Sequence, residues 1–284
     1  MQGIPELVSL QTGRCGRAVP PAWRSTAAHR YALAHMGGMT EPVAELHAEQ
    51  ADLEALLRTL PAESWLLPTP AHGWDVRDSV SHLADTEENA HDTASGGPRQ
   101  LNTEAMTFES PEAFTESGCI KGRAMSGPDV LKWWVDGAAR TRGVLEQLDP
   151  KARVPWGLGM SARSFATARL METWAHGLDI RAAVGSPPNE SARLRSVAWL
   201  IIQALPYAFR HAQREQPPGT LRVELEFEGD RWTFGPDDAD STITGPAGEF
   251  CRRGVQRLAL EDAPNLKAEG RLAEQFLEIA RAFL

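Results

Sequence analysis

Residues 161–185 read SARSFATARLMETWAHGLDIRAAVG. Phe165, Ala168, Met171, Ala175 and Leu178 recur there at three- and four-residue steps, which predicts an amphipathic helix with one buried face. Ser161 or Ser164 can cap its start by accepting from the first free N–H groups. The helix is predicted to end near Gly185, before Pro187-Pro188. Glu172 and His176 lie four residues apart, so both side chains leave the same face one turn apart. Two ligands from one helical turn can share a metal ion, the logic that H-E-x-x-H zinc enzymes use.

Working outward, three more helices of this kind come before it. Val43, Leu46, Leu53, Leu57 and Leu60 mark an apolar stripe, with Glu41, Glu45, Glu49 and Glu54 mostly off it; Pro61 and the Pro68/Pro70 pair break it. Gly73-Trp74-Asp75-Val76-Arg77-Asp78-Ser79-Val80 is a helix start, with Asp75 as cap and Asp78 in the first turn, where an acid suits the helix dipole. That helix runs to about His91 and stops near Ser95-Gly96-Gly97-Pro98. A long polar loop is then predicted, with Gly118, Gly122 and Gly127 toward its end. The next helix covers 128–148, with Leu131, Trp134, Ala138, Leu145 and Leu148 inward. After residue 185 a fifth helix is predicted over 191–213, burying Leu194, Val197, Ile201, Leu205 and Phe209.

The period then changes from 3.6 to 2. Leu221, Val223, Leu225 and Phe227 alternate with Arg222, Glu224, Glu226 and Glu228, the pattern of a half-buried strand. Gly229-Asp230 is a turn signal, Arg231–Phe234 the return strand, and Thr242–Thr244 a third. Pro246 opens a helix carrying Phe250, Val255 and Leu258, and Leu272, Phe276, Ile279 and Phe283 form a last one. The chain therefore reads as mainly α: residues 39–190 a helical bundle, residues 191–284 a linking helix and a small α+β domain. Residues 1–38 carry four arginines and one acid and lack an amphipathic pattern; they read as a disordered extension, with Met39 as a second candidate start, and an organelle transit peptide is the alternative.

A third ligand for Glu172 and His176 is offered by His82. Val76, Val80 and Leu83 flank it, so it is expected to point inward. Zinc accepts imidazole nitrogen and carboxylate oxygen, and catalytic sites keep three protein ligands and one open position. Asp179, three residues after His176, can accept the other ring N–H, as ligating histidines require; a salt bridge is its competing reading. Asp85 has the same relation to His82. His47, His72 and His91 are weaker candidates, expected in solvent. Arg163, Arg169 and Arg181 flank the motif, and the fork of one of them, Arg163 or Arg169 first, can bind a carboxylate of a substrate or thiol cofactor; a surface or inter-helix ion pair is the competing and favoured reading.

Bulk properties narrow the classes. The 284 residues carry 29 basic and 38 acidic side chains, a formal charge of −9, which disfavours a polyanionic partner such as nucleic acid. Arg252-Arg253 with Arg257 is short enough to read as a solvated helix face. Cys15, Cys119 and Cys251 form no metal or disulfide pattern, which fits a cytoplasmic setting. No apolar run reaches the ~20 residues a membrane helix needs.

The stretch Gly73-Trp74-Asp75-Val76-Arg77-Asp78-Ser79-Val80-Ser81-His82-Leu83-Ala84 resembles the first metal motif of the mycothiol-dependent maleylpyruvate isomerase metal-binding domain, one of the DinB-like four-helix bundles. Glu172-Thr173-Trp174-Ala175-His176-Gly177-Leu178-Asp179 resembles the second. The likeness covers roughly residues 40–185. It implies a metal ion, zinc or another divalent ion, on His82, Glu172 and His176. It also implies a low-molecular-weight thiol such as mycothiol or bacillithiol, whose thiolate attacks a small electrophile. The region from Met160 to Glu172 is similar to an actinobacterial-type group of metal-binding proteins, some labelled for wyosine base formation in tRNA. The C-terminal part loosely resembles a sterol-carrier-like domain. Three readings follow: a metal- and thiol-dependent isomerase or transferase, a non-catalytic metal or ligand module, and tRNA modification. The −9 charge and the lack of a cysteine cluster or an aromatic and basic run weigh against the last.

Overall fold

The computed structural model describes residues 38–282, so the reading of the first 37 residues and of Phe283 lies outside it. Among the described residues there are ten α-helices and six strands: α1 (Thr40–Leu57), α2 (Val76–Ser95), α3 (Leu101–Glu104), α4 (Pro111–Arg123), α5 (Gly127–Gln147), β1 (Arg153–Val154), β2 (Met160–Ser161), α6 (Ala162–Ala183), α7 (Leu194–Gln203), α8 (Leu205–His211), β3 (Leu221–Phe227), β4 (Asp230–Phe234), β5 (Ser241–Pro246), α9 (Ala247–Gly254), β6 (Lys267–Glu269) and α10 (Arg271–Ile279). None of these helices is long and apolar enough to cross a membrane.

Helices α1, α2, α5 and α6 form a four-helix bundle, in which α1 packs on α6 and α5, and α2 packs on α5 and α6. Their starts are the ones the sequence marks. Asp75 caps α2 in a reciprocal box: Asp78 N donates to Asp75 Oδ1 at 2.7 Å, and Asp75 N donates to Asp78 Oδ2 at 3.3 Å. Ser161 caps α6 by accepting from Ser164 N at 3.1 Å.

The bundle core is not apolar throughout. One cluster joins Leu53, Leu57, Val76, Val80, Leu83, Leu131, Trp134 and Ile180. Another joins Val43, Leu46, Ala90, Leu145, Phe165, Leu170 and Trp174. Between them on α1, α2, α5 and α6 lie Gln50, Glu87, Thr141 and Arg169, all buried. Arg169 donates through Nε and Nη2 to Glu87 Oε1 at 3.3 and 3.1 Å, and Gln50 Nε2 donates to the same oxygen at 3.2 Å. A buried charge needs such partners to be tolerable.

The stretch predicted as a polar loop is helical instead, and α4 lies against α2. Ser110 caps α4 and Pro111 opens it. Its buried residues are Gly118, Cys119 and Gly122, too small to register as an apolar stripe. A Cβ on Gly122 would stand 1.7 Å from Ser81 Oγ, so only glycine permits this approach. The predicted fifth helix is two, α7 and α8, because Pro206 has no N–H to continue the first. Glu49, placed off the α1 stripe by its charge, is buried and meets Arg193 Nε at 2.9 Å.

After α8 comes a four-stranded sheet in the order β4-β3-β5-β6. Strands β3 and β4 are antiparallel with Val223 opposite Phe234 and Leu225 opposite Trp232, while β3 and β5 run parallel. The turn is shifted one residue from the expected Gly229-Asp230: Glu228 and Gly229 make it at φ of 48° and 88°, and Asp230 already pairs with Phe227. Both turn residues need positive φ for a tight hairpin. β6 has only three residues and escapes periodicity reading. The core does not stop at residue 190. Leu170 and Trp174 share one cluster with Val197, Ile201, Val223, Phe250 and Phe276.

Candidate metal centre

His82 meets Glu172, 90 residues further along the chain, and His176 between α2 and α6. His82 Nε2 lies 3.0 Å from Glu172 Oε1, and His176 Nε2 lies 3.6 Å from the same oxygen. One ligand atom from each residue falls within 4.8 Å of the other two. The side chains are 12%, 20% and 11% exposed for His82, Glu172 and His176, so the cluster is recessed yet reachable.

The three groups shift one another's protonation. Burial pushes the Glu172 carboxyl up, but hydrogen bonds from His176 and His82 outweigh it and hold the group well below its ordinary value. Burial lowers the pKa of His82, and the neighbouring His176 lowers it further against the pull of Glu172. Burial also opposes charge on His176, but the Asp179 and Glu172 carboxylates overcome it and raise its pKa. The cluster is thus a carboxylate anion between two imidazoles, one of which attracts an extra proton. A metal ion bound here would compete with that proton, since an imidazole ligates in its neutral form.

The outer contacts decide between the roles read from sequence. Asp179 does face His176: Oδ2 stands 3.4 Å from Nδ1, at the outer edge of hydrogen bonding. That nitrogen is buried and makes no hydrogen bond among the described residues, so the Asp179 approach is a charge contact. Asp179 also receives Arg257, so the salt-bridge reading holds and the same carboxylate faces His176 as well. Asp85 does not serve His82. It accepts from Arg99 Nη1 at 3.0 Å and Nη2 at 3.2 Å, fastening the segment before α3 to α2. Burial makes the arginine the stronger claimant for that carboxylate.

Arg163 sits more than two turns from Glu172 and donates to Glu41 Oε2 at 2.7 Å. Arg169 is 1% exposed and committed to Glu87. A guanidinium so enclosed neutralises the core. Arg252, Arg253 and Arg257 do not form a solvated face: Arg252 pairs with Glu190 at 3.1 Å, Arg253 donates to the carbonyls of Leu277 and Glu278, and Arg257 reaches Asp179. His47 and His72 are exposed, and His91 meets Asp92 Oδ1 at 2.9 Å.

Two contributors were not assigned a role from sequence. Trp74 lies with its ring centroid 5.0 Å from His82 and 5.9 Å from His176, nearly parallel to the latter. It is held by a local loop in which Thr69 N donates to Trp74 O at 2.9 Å and Val76 N to Leu67 O at 3.0 Å. Its position beside the cap Asp75 was the only available signal. The second is a cleft of about 720 Å³ beyond Asp179, lined by Ala71, Leu178, Arg181, Arg252, Arg257 and Leu258 among others. It lies where the end of α6 meets the residues after α9.

Comparison with known proteins bears on the family and the fold. Residues 46–181 match the model of the mycothiol maleylpyruvate isomerase N-terminal domain. Two uncharacterized proteins of Mycobacterium tuberculosis, from strains CDC 1551 and H37Rv, are each 39% identical over 245 residues, 85% of this chain and 94% of theirs. The crystal structures of the mycothiol-dependent maleylpyruvate isomerase and of a histidine-to-alanine mutant of that enzyme superpose with TM-scores of 0.58 and 0.57 at 15% identity, covering 87% of this chain and 98% of theirs. At that identity they show a common fold.

Proposed function

Residues 46–181 of this chain form a mycothiol maleylpyruvate isomerase N-terminal domain, and from that premise we propose that the chain is a metal- and thiol-dependent isomerase or transferase acting on a small electrophile. His82, Glu172 and His176 would hold one divalent ion, zinc by preference. The observation that carries this is the convergence of three donor atoms within 4.8 Å in a recessed but open setting.

The residues fit the ion. Two imidazoles and one carboxylate are a donor set of catalytic zinc, which leaves a position for a further ligand. Glu172 is anionic before any ion arrives. Asp179 stands behind His176, where a carboxylate fixes the ring and its tautomer. When bound, the ion would supply a Lewis acid that keeps a thiol, mycothiol or a related one, in its thiolate form near neutral pH. Neither described cysteine takes that part. Burial raises the thiol pKa of Cys119 and of Cys251, so neither is a nucleophile at neutral pH.

The chain's own groups would then bind and orient. Trp74 screens one side of the two imidazoles. The neighbouring cleft offers Arg181 and Arg252 beside apolar Leu178 and Leu258, which suits a ligand with an anionic end and an apolar body. In this division residues up to 190 carry the ion and the later ones close the cleft.

Metal analysis of purified protein, joined to native mass spectrometry with mycothiol and bacillithiol, tests the reading. One zinc per chain and a thiol adduct that disappears with the metal are expected. Absence of stoichiometric metal ends it. Tight thiol binding without turnover on a broad panel of electrophiles replaces the enzyme with a binding module.

A further inference from the structure

Asp179 stands at a junction between two parts of the chain. It is 1% exposed. On one side Oδ2 faces His176 Nδ1 at 3.4 Å. On the other, Arg257 donates Nε to Oδ1 at 3.0 Å and Nη2 to Oδ2 at 2.6 Å. The guanidinium is itself fixed, since Nη1 donates to Val255 O at 3.0 Å.

Arg257 does not come from the bundle. It follows α9, and the chain turns there at Gln256, which holds a left-handed φ of 60° while Arg257 N donates to Arg252 O at 2.8 Å. A glutamine in that region is strained and needs support. Arg281 Nη2 supplies some, donating to Gln256 Oε1 at 2.6 Å. The turn thereby delivers a guanidinium from the C-terminal segment to the back of a metal ligand.

The distances rank the two contacts. Arg257 holds the carboxylate with a planar two-bond fork, and His176 touches it with one longer contact. The fork therefore sets where the carboxylate points, and the imidazole follows. Without Arg257 the carboxylate would keep only that long contact and be free to swing away, and His176 would lose the acceptor that orients its ring.

We propose that Arg257 is a positioning residue for the metal centre: through Asp179 it aims His176 at the shared ion, so that metal affinity depends on the seating of the C-terminal segment on the bundle. This rests on the metal reading above. The test is zinc affinity of the full chain, measured by competition with a chromophoric chelator, together with the visible absorption of the cobalt-loaded protein. Arg257→Ala is expected to weaken zinc binding by about ten- to a hundredfold and to change the cobalt bands. Arg257→Lys, which keeps the charge without the fork, restores part of the affinity. Asp179→Asn weakens binding comparably, and the double variant is no weaker than the weaker single one, because both act along one path. Arg193→Ala removes a different arginine clasp, to Glu49 and Asp52, and leaves zinc affinity unchanged.

Wild-type affinity in Arg257→Ala beside a weakened Asp179→Asn overturns the proposal and leaves the metal reading intact. Additive losses in the double variant, or an equal loss in Arg193→Ala, overturn it as well. A wild-type chain that binds no stoichiometric zinc removes the metal reading and the proposal together. If Arg257→Ala does not fold, Arg257→Lys and Asp179→Asn decide through the cobalt spectrum, which instability alone does not shift.

Discussion

Two carboxylates in the bundle, Glu87 on α2 and Glu172 on α6, meet opposite kinds of partner. Glu87 is 0% exposed and accepts from Arg169 and Gln50 on one oxygen. Glu172 is 20% exposed and draws His82 to 3.0 Å and His176 to 3.6 Å, also on one oxygen. The geometry is alike; the chemistry is not. A guanidinium keeps its proton at any physiological pH, so the Glu87 pair is closed. Imidazoles exchange protons near neutrality, so the Glu172 cluster can give up a proton for a metal ion. One carboxylate ties the bundle together, and the other, on the proposed reading, would take a metal ion.

The sharpest break in this comparison comes from the histidines. Replacing both His82 and His176 with alanine should abolish stoichiometric zinc, read by elemental analysis, with helical circular dichroism retained. Metal that survives the double change would undo the distinction.

Next in size is the closed pair. Arg169→Met strands Glu87 as an unpaired buried charge and should cost about 3–5 kcal/mol in urea unfolding. Arg169→Met with Glu87→Leu should recover most of it, because breaking a buried pair is worse than replacing it. Equal losses in the single and double variants would mean that packing matters more than charge there.

A smaller effect separates the regions by ligand. Zinc at a hundred times its dissociation constant should raise wild-type stability by about 2.7 kcal/mol, and chelation should remove the gain without melting the helices. The same treatment of Glu172→Gln should yield far less; an equal gain there would place the ion elsewhere.

Trp74→Ala should cost about 1 kcal/mol, mostly from lost ring contacts, and should speed zinc release, measured by chelator trapping. The least effect is expected at the cysteines. Cys119→Ala and Cys251→Ala should leave metal content unchanged, and both thiols should ignore a disulfide reagent until the chain unfolds. Fast native labelling of either would show that burial does not silence it.

Periodicity was enough to read the four bundle helices and the β3–β4 pair, because their buried positions repeat at 3.6 or 2 residues. It failed at α4, whose buried face is glycine and cysteine, and at β6, which is three residues long. Within the site, Glu172 and His176 were legible because one helix sets their spacing. His82 was legible only as an inward residue. Asp85 misled because the same spacing suits an orienting carboxylate and an arginine partner equally. Arg169 misled because helical position does not reveal how deep a face lies.

The sequence by itself determined which residues lie on common helical faces, where the helices start, and that the chain passes from a helical bundle to a small α+β region. Local dihedral preferences and the water-avoiding stripe act over a few residues, so they can be read locally. Only the tertiary structure decided the partners. It brought His82 to Glu172 across 90 residues of chain, gave Asp85 to Arg99, and turned Arg257 onto Asp179 behind His176. Those choices depend on which charges are buried together, and that is settled by packing, not by spacing.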